Sequence, residues 1–278
     1  MFRSLFLTVT FCCACSAAFS QTFVSSDNFS ANTGTTPSAA WQVSYTPVFS
    51  TDTNINGRLE YTSTQDPADL VASQTSWNLA ASKTSDSWND SWVATVDAHN
   101  SVTGANSFAR AYLELFNPQH SVPYPTFNIS LRESTTAGGL TTETIRALNT
   151  PHDDGSGQTF ADFTVAVPTD VKLRMAFDAS TKIATASYSI DAGATFVNLM
   201  SVDIDNGATT WSVAPTSGFG VNLFSYSGNV DVASGQLYYD NFSMTAVPEP
   251  STYAAIAGIG ALGLAFWRKR QGAARSAA

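Results

Sequence analysis

The sequence predicts an all-β protein over residues 21–246, built as a two-sheet antiparallel jelly-roll sandwich. Segments of strand length with alternating apolar and polar residues recur along this region, and Gly, Asn, Asp and Pro bound them. No stretch of the region keeps a helical period. Its length falls within the roughly 200–250 residues that a single β-sandwich domain commonly takes, and no linker-like stretch divides it. We therefore expect one domain.

The strands follow one another at short intervals, roughly twelve to fourteen in all, which is enough for two packed sheets. The clearest candidates are Phe108–Phe116, Phe127–Arg132, Thr142–Leu148, Phe160–Val167, Val171–Phe177, Ile183–Ile190, Phe196–Ile204, Phe219–Tyr226 and Gln236–Met244. Three of their connections carry residues typical of tight turns: Asp178-Ala179-Ser180, Asp191-Ala192-Gly193 and Asp205-Asn206-Gly207.

A short motif occurs near both ends of this domain. Asp27-Asn28-Phe29-Ser30 is repeated as Asp240-Asn241-Phe242-Ser243, although the flanking residues do not match. We interpret this as the first and last strands lying side by side in one sheet, with the termini together. The oxygen-bearing side chains of Asp27, Asn28, Asp240 and Asn241 would suit a structural calcium ion. The alternative is that these residues cap turns at strand ends.

Charge and cysteine content exclude several functions. All three cysteines lie in the first fifteen residues, so the domain has neither disulfides nor thiol chemistry. Residues 21–247 hold eight Lys and Arg against 21 Asp and Glu, a formal charge of −13. Because nucleic-acid binding needs a basic surface, we expect no nucleic-acid partner.

The N-terminus predicts export. Residues 1–20 hold one positive charge, a short apolar core and the small-residue pattern Ala18-Phe19-Ser20, as in a cleavable signal peptide. We expect cleavage between Ser20 and Gln21, with cleavage after Ala18 as a variant. A lipoprotein signal that ends at Cys15 is the alternative.

The C-terminus is the most specific part of the chain. Val247-Pro248-Glu249-Pro250 precedes fifteen residues without a charge, 253–267, and then the basic group Arg268, Lys269 and Arg270. The prolines favour an extended, accessible stretch. The apolar segment predicts a helix of about 22 Å at 1.5 Å per residue, short for a bilayer core of ~30 Å but sufficient with local thinning. The basic group at residues 268–270 is expected to stay on the cytoplasmic side, followed by a cytoplasmic tail over residues 271–278.

This arrangement at residues 247–270 resembles the PEP-CTERM sorting signal of Gram-negative bacteria. The resemblance implies that an exosortase, a membrane peptidase, recognises Pro248, Glu249 and Pro250 and removes the helix. It also implies a bacterium that makes biofilm or exopolysaccharide, transient anchoring in the inner membrane, and a final place in the envelope, on the outer surface or in the extracellular matrix. A plain membrane anchor is the alternative.

A second resemblance lies within the domain. The run from Leu173 to Asp178, followed by Ile183–Ile190 and Asp191-Ala192-Gly193 before Phe196, is similar to consecutive strands of concanavalin A-like (laminin G-like) jelly rolls. That family implies glycan or protein binding in many members and glycanase activity in some.

The residues do not predict an enzyme. Glycoside hydrolysis needs a pair of carboxylates, but Glu60, Glu114, Glu133 and Glu143 each stand alone on a strand. Glu114 alternates with Arg110 and Tyr112, which is typical of a solvated strand face. His99, His120 and His152 are scattered, and no Gly-x-Ser-x-Gly motif is present. His152-Asp153-Asp154 indicates a polar turn rather than a zinc site.

The best local signal for sugar binding is Asp86-Ser87-Trp88-Asn89-Asp90-Ser91-Trp92. Exposed indole rings stack on sugars while Asn89 and Asp90 bond hydroxyls. Trp88 and Trp92 share parity along a strand, so both would point the same way. Two core tryptophans would do the same, and that alternative is favoured, with Trp88 the more exposed of the two.

The sequence therefore predicts a non-enzymatic envelope or matrix protein that interacts with extracellular polysaccharide. Two alternatives remain: a secreted glycan-active enzyme of the concanavalin A-like glucanase class, and a structural matrix component with no specific ligand.

Overall fold

The computed structural model describes residues 24–27, 29, 41–45, 50–55, 57–64, 73–79, 84, 87–104, 106–118, 125–152, 156–164, 167–205, 211, 218–247, 258, 260–264 and 266–268. The predicted signal peptide, including Ser20, and Gln21 lie outside the described residues. So do Asn28, Pro248, Glu249, Pro250, Lys269 and Arg270.

The described part of the chain holds fifteen strands. They are β1 Val24–Asp27, β2 Trp41–Tyr45, β3 Ser50–Ile55, β4 Arg58–Ser63, β5 Ser73–Leu79, β6 Trp92–Asn100, β7 Phe108–Phe116, β8 Thr126–Thr135, β9 Thr141–Thr150, β10 Thr159–Phe163, β11 Asp170–Asp178, β12 Ile183–Ser189, β13 Val197–Asp203, β14 Gly220–Gly228 and β15 Leu237–Ala246.

The strands form two antiparallel sheets. An eight-stranded sheet has the order β13-β12-β11-β6-β15-β4-β3, with β1 also paired to β15, and a seven-stranded sheet has the order β10-β9-β8-β7-β14-β5-β2. Non-consecutive strands are neighbours in both sheets. The predicted all-β, two-sheet fold class is confirmed, and all nine strand candidates overlap observed strands.

Alternation of burial along the strands explains the sandwich. In β6 and β11 every second side chain is buried and faces the other sheet. Large apolar side chains fill the space between the sheets, and those with almost no exposed surface include Trp77, Trp92, Tyr61, Phe219 and Phe127. One continuous core therefore joins the two sheets.

The two ends of the domain meet as the sequence motif predicts. β1 pairs with β15 in antiparallel register, with Asp27 opposite Phe242. The buried rings of Phe29 and Phe242 both contact Trp41, with ring centroids 6.0 Å and 4.8 Å from it. The shared Phe of the two motifs therefore closes the domain around one tryptophan.

The last described residue before the Pro-Glu-Pro motif is hydrogen-bonded to the sandwich. Val247 donates its amide to the carbonyl of Ser91 at 2.7 Å, next to the end of β15. Farther on, residues 258, 260–264 and 266–268 are helical. No helix within the described residues combines the length and apolar character needed to cross a bilayer, so the transmembrane helix 253–267 stays a prediction.

Candidate functional site

Strand β7 shows that the two sides of the seven-stranded sheet differ. Its small and aliphatic residues, Ala109, Ala111, Leu113 and Leu115, are buried in the core. The alternating residues on the other side are large: Phe108, Arg110, Tyr112, Glu114 and Phe116. We call this side, with the matching residues of β14, β8, β9, β10 and β5, the outer seven-stranded face.

Strand register arranges this face in rows that cross the sheet. The first, which we call the amide row, contains Asn78, Asn222, Glu114 and Asn128. A middle row contains Ser76, Phe224, Tyr112, Ser130 and Arg146. The third, which we call the guanidinium row, contains Gln74, Tyr226, Arg110 and Arg132. The first and third rows lie about 13 Å apart along the strands.

Glu114 lies at the centre of the amide row between two asparagines. Asn222 and Asn128 donate from Nδ2 to its two carboxylate oxygens, at 3.2 Å and 3.3 Å. Burial raises the pKa of Glu114 to about 7, although both hydrogen bonds act to lower it. A carboxyl group whose pKa is about 7 therefore lies in the middle of this face.

The same asparagines carry unused acceptors. Asn128 is 3% exposed and Asn222 is 7% exposed, and the Oδ1 atom of each has no hydrogen-bond partner among the described residues. Asn222 Nδ2 also donates to Ser76 Oγ at 3.2 Å, which fixes the orientation of its amide. Because burying an unpaired amide oxygen is unfavourable, these two acceptors would gain from a hydroxyl or amine donor of a ligand.

The guanidinium row brings two like charges together. Arg110 and Arg132 are directly opposite in the β7–β8 register, and the Nε atom of each lacks a partner within the described structure. Arg110 Nη1 donates to the Tyr112 hydroxyl at 3.4 Å. Burial lowers the pKa of Arg132, and the neighbouring Arg110 and Arg146 act in the same direction.

The edge of the face carries an ion pair and an exposed ring. Arg146 donates from Nε and Nη2 to the two oxygens of Asp162, both at 2.6 Å. These hydrogen bonds hold the pKa of Asp162 below its usual range. The Arg146 guanidinium also lies 4.5 Å from the ring centre of Phe160, a side chain that is 61% exposed on β10.

Aromatic rings form the other part of the face. Phe224 and Tyr226 are stacked at 6.3 Å and 16°, and Tyr112 and Phe108 pack against them at 5.2 Å and 5.0 Å. Phe224, Tyr226 and Phe108 are partly exposed. Such rings present flat apolar surfaces of the kind that stack on sugar rings.

Two glycines of β14 allow aromatic side chains to lie across that strand. Gly220 pairs with Phe116 and Gly228 with Phe108. A Cβ atom at Gly220 would lie 2.1 Å from the Phe116 ring, and one at Gly228 would lie 2.5 Å from the Phe108 ring. Any larger residue at these positions would displace the rings that flank the face.

A tyrosine from the opposite sheet supports the middle row from below. The buried hydroxyl of Tyr239 on β15 donates to the carbonyl of Phe224 at 2.6 Å and accepts from the amide of Tyr112 at 2.9 Å. It therefore lies between backbone groups of β7 and β14 that face each other in register. This contact positions the central part of the outer face.

The predicted sugar-binding residues lie elsewhere: Trp88, Asn89 and Asp90 are in the turn before β6, and Trp92 is the first residue of that strand, so Trp88 and Trp92 do not share strand parity. Trp92 is fully buried and donates its indole N–H to the carbonyl of Ser87 at 2.8 Å. Trp88 is partly buried, stacks on Phe177 at 5.5 Å, and has the Lys182 ammonium 4.2 Å from its ring centre. Trp92 is therefore a core residue, as the favoured alternative predicts. Phe177 and Lys182 cover part of the Trp88 ring. Asn89 is exposed and Asp90 is partly exposed, next to these rings.

Three of the four predicted calcium residues, Asp27, Asp240 and Asn241, are described, and each makes a hydrogen bond within the protein. Asp27 Oδ1 accepts from the amide of Phe29, and Asp240 Oδ1 accepts from the amide of Asn241, both at 2.7 Å. Asn241 Nδ2 donates to Asp97 at 2.9 Å. Within the described ranges, no three His, Cys, Asp or Glu side chains are placed to hold a metal.

One carboxylate pair appears that the sequence did not predict. Glu133 on β8 and Glu143 on β9 are directly opposite in register. Burial and the nearby Glu143 raise the pKa of Glu133 to about 7. However, both follow the inward parity of Leu131 and Ile145, and Glu133 is 3% exposed. This pair is therefore not part of the outer seven-stranded face.

The sequence did place Arg110, Tyr112 and Glu114 on one outward face, and the structure agrees. It differs in the character of that face, because Tyr112 is 7% exposed and Glu114 is desolvated. The signal was present in β7 itself, where all five outward residues are aromatic or charged. The partners Asn128, Asn222 and Arg132 come from other strands and follow only from the register.

Residues 246–271 match the PEP-CTERM protein-sorting motif family. The match covers the Val-Pro-Glu-Pro motif, the apolar segment and the basic group, as predicted. This C-terminal segment is a PEP-CTERM sorting motif, which indicates export and sorting to the cell envelope through an exosortase. No curated protein matches the chain as a whole.

Solved structures with a similar fold include lectins and glycoside hydrolases. The winged bean acidic lectin in complex with methyl-α-D-galactose aligns over 80% of this chain and 98% of its own, with a TM-score of 0.50 and 13% identity. The lectin UEA-II in complex with galactose aligns over 82% of this chain and 100% of its own, with a TM-score of 0.51 and 10% identity.

An engineered GH43 glycoside hydrolase with endo-xylanase and exo-arabinofuranosidase activity aligns over 82% of this chain, with a TM-score of 0.53 and 18% identity. Only 41% of that enzyme is covered. These likenesses show the concanavalin A-like jelly-roll fold, which the hairpin sequence predicted.

Proposed function

We propose that this chain is an exported envelope or matrix protein whose jelly-roll domain binds extracellular polysaccharide, without catalysis, through the outer seven-stranded face. One observation carries the proposal: the buried amide oxygens of Asn128 and Asn222, which have no partner among the described residues, flank Glu114 beside partly exposed aromatic rings. Hydroxyl groups of a sugar would supply the missing donors, and Phe224 and Tyr226 would stack on its rings.

The arrangement of carboxylates favours binding over hydrolysis. Glu114 has asparagines on both sides in its row, and Asp162, the other carboxylate of this face among the described residues, is held by Arg146. Two carboxyl groups about 5–10 Å apart are needed for glycoside hydrolysis. We therefore propose a binding protein.

A glycan-active enzyme is the second candidate, because Glu133 and Glu143 face each other in register and the pKa of Glu133 is raised. Their inward position argues against contact with a polymer. Release of reducing ends from a polysaccharide, abolished by Glu133→Gln or Glu143→Gln, would establish this candidate and overturn the non-catalytic proposal.

The sorting steps of the proposal concern the two ends of the chain. We propose that cleavage after Ser20 releases the exported chain and that residues 253–267 anchor it transiently in the inner membrane. Exosortase then acts at Val247-Pro248-Glu249-Pro250, while Arg268, Lys269 and Arg270 remain cytoplasmic. Loss of C-terminal processing in a Glu249→Ala variant, read as a larger product retained in the membrane, would test this.

A structural calcium near Asp27 and Asp240 stays a proposal of its own. If the ion binds there, calcium should raise the Tm relative to a chelator, and Asp27→Asn should remove the increase. An equal Tm in both conditions would rule it out.

The experiment that tests the binding proposal uses the full chain and a panel of neutral and anionic polysaccharides. We expect Tyr226→Ala or Asn222→Ala to weaken binding at least about tenfold. Trp88→Ala, at the residue that the sequence favoured, serves as the matched aromatic control. If Trp88→Ala abolished binding and Tyr226→Ala did not, the site would lie at the start of β6. If no polysaccharide bound, a structural component without a specific ligand would replace the proposal.

A further inference from the structure

We infer that the polysaccharide held by the outer seven-stranded face is anionic, with its carboxylate or sulfate groups bound at the guanidinium row. This inference rests on the proposed function and specifies the class of ligand. It begins from the distribution of charge. The domain carries eight basic and 21 acidic residues, yet this face holds three of the basic residues and, among the described residues, only two of the acidic ones.

The two acidic side chains do not neutralise this charge fully. Asp162 pairs with Arg146, and Glu114 has its pKa raised to about 7, so it is partly protonated near neutral pH. Arg110 and Arg132 form no ion pair within the described structure. A net positive patch is therefore left on a domain that is strongly acidic elsewhere, and it would attract anions locally.

Two cations of the eight-stranded sheet are placed differently. Arg58 pairs with Glu60, and Lys172 pairs with Asp97. By contrast, Arg110 and Arg132 are directly opposite each other across two neighbouring strands. Like charges in such a cross-strand pair destabilise the sheet. A bound anion between the two guanidinium groups would offset this repulsion.

The surroundings of the pair also suit an anion. Arg110 lies 4.9 Å from the Phe108 ring centre and 5.5 Å from that of Tyr226, which supports its guanidinium plane from the side. The Nε donors of Arg110 and Arg132 are buried and have no acceptor in the part of the chain that the structure describes. Guanidinium groups bind carboxylate and sulfate oxygens through two parallel hydrogen bonds, so an anionic ligand that displaces the covering side chains would supply these acceptors.

The positions of the two rows suggest how a polymer would lie on this face, which is along the strands. Amide oxygens that accept from hydroxyls lie in one row, and donors for anionic groups lie in another about 13 Å away, with the Tyr226 and Phe224 rings beside them. A chain of sugar rings that runs along β7 and β14 would meet both rows. The hydroxyl groups of one polymer would thus bind at the amide row, and its anionic groups would bind at the guanidinium row.

The test compares polymers that differ mainly in charge. Binding of the full chain is measured for polygalacturonate, for the same polymer after its carboxyl groups are reduced, and for the sulfated galactan carrageenan. The variants are Arg110→Gln, Arg132→Gln and the charge-retaining Arg110→Lys, with Arg174→Gln on the opposite sheet as the matched control. Tm values identify any variant that fails to fold, and Arg110→Lys then carries the comparison.

We expect at least one anionic polymer to bind about tenfold or more tightly than the reduced polymer, with an affinity that falls as salt is raised. Arg110→Gln and Arg132→Gln should remove this difference, Arg110→Lys should retain part of it, and Arg174→Gln should leave it unchanged. Which anionic polymer binds separates carboxylate from sulfate recognition. Equal binding of reduced and anionic polymers, or binding of neutral ones alone, would overturn the anionic ligand but not polysaccharide binding. If neither these polymers nor the neutral panel bound, both proposals would fall.

Discussion

The outer faces of the two sheets use similar residue types in opposite ways. On the eight-stranded sheet, Arg58 pairs with Glu60 at 2.7 Å and Lys172 with Asp97 at 2.5 Å, and the His99 ring nitrogen Nδ1 lies 2.8 Å from a carboxylate oxygen of Asp170. On the seven-stranded sheet, Arg110 and Arg132 face each other instead.

The aromatic rings differ in the same way. Tyr238 of the eight-stranded sheet stacks on His99 at 4.5 Å and has the Arg58 guanidinium 3.9 Å from its ring centre, so neighbours occupy it. Phe160 of the seven-stranded sheet is 61% exposed. Of the nine buried polar atoms without partners in the described residues, four lie on the outer seven-stranded face and one, Arg174 Nε, on the other.

The comparison teaches that residue type alone does not mark a binding surface. Arginine, tyrosine and glutamate occur on both faces. The difference lies in whether their charged and hydrogen-bonding groups pair with one another. A face whose polar groups are paired stabilises the sheet. Donors and acceptors that lack partners favour a ligand that forms the missing hydrogen bonds. The predictions below test whether this distinction holds.

The largest expected effect comes from the tyrosine beneath the outer seven-stranded face. Tyr239→Phe leaves the amide of Tyr112 and the carbonyl of Phe224 without their partner in the core. We expect a loss of about 2–4 kcal/mol in the free energy of unfolding, measured by urea denaturation. Tyr238→Phe on the other face is the control and should cost less than about 1 kcal/mol. Equal effects would mean that Tyr239 gives this face no special support.

Replacing one glutamate on each face should change stability in opposite directions. The pKa of Glu114 is raised to about 7 in the fold from 4.5, so the folded state binds its proton more tightly than the unfolded state. The contribution of Glu114 to the free energy of unfolding is therefore most favourable below about pH 4.5, and it falls as the pH rises to about 7. Glu114→Gln should stabilise the protein at pH 8, by at most about 3 kcal/mol, and have no such effect at pH 4.

Glu60 provides the control for that experiment. It is fully buried and accepts from Arg58, Ser234 and the Gly235 amide. Glu60→Gln breaks a satisfied network and should destabilise the protein at pH 8. If Glu114→Gln also destabilised the protein at pH 8, the desolvated carboxylate of Glu114 would not cost stability when it is ionised, contrary to this account.

The smallest effect is expected for an ion pair of the eight-stranded sheet. The Lys172 and Asp97 side chains are 19% and 37% exposed, and partly exposed pairs contribute little. Lys172→Met should change the unfolding free energy by less than about 1 kcal/mol and leave polysaccharide affinity unchanged. A large loss of affinity would show that the satisfied face also takes part in binding.

The sequence predicted the sandwich well because alternation and turn residues are local signals. The strand Phe108–Phe116 was placed with its observed bounds, and the Asp27 and Asp240 motifs correctly placed β1 beside β15. The sequence pointed to Trp88 and Trp92 for sugar binding because indole is the usual stacking group. It could not show that Trp92 is enclosed between the sheets, or that Asn222 and Asn128 flank Glu114, because those contacts join strands far apart in the chain.

The most direct test of the central claim is a hydrogen–deuterium exchange footprint of the full chain. Amide exchange is measured with and without the polysaccharide of the panel that binds most tightly. We expect added protection in β7, β14 and β8, the strands that carry Glu114, Asn222 and Asn128, and no change in β6, β11 and β12. Protection confined to β6, β11 and β12, with β7 and β14 unchanged, would contradict the account.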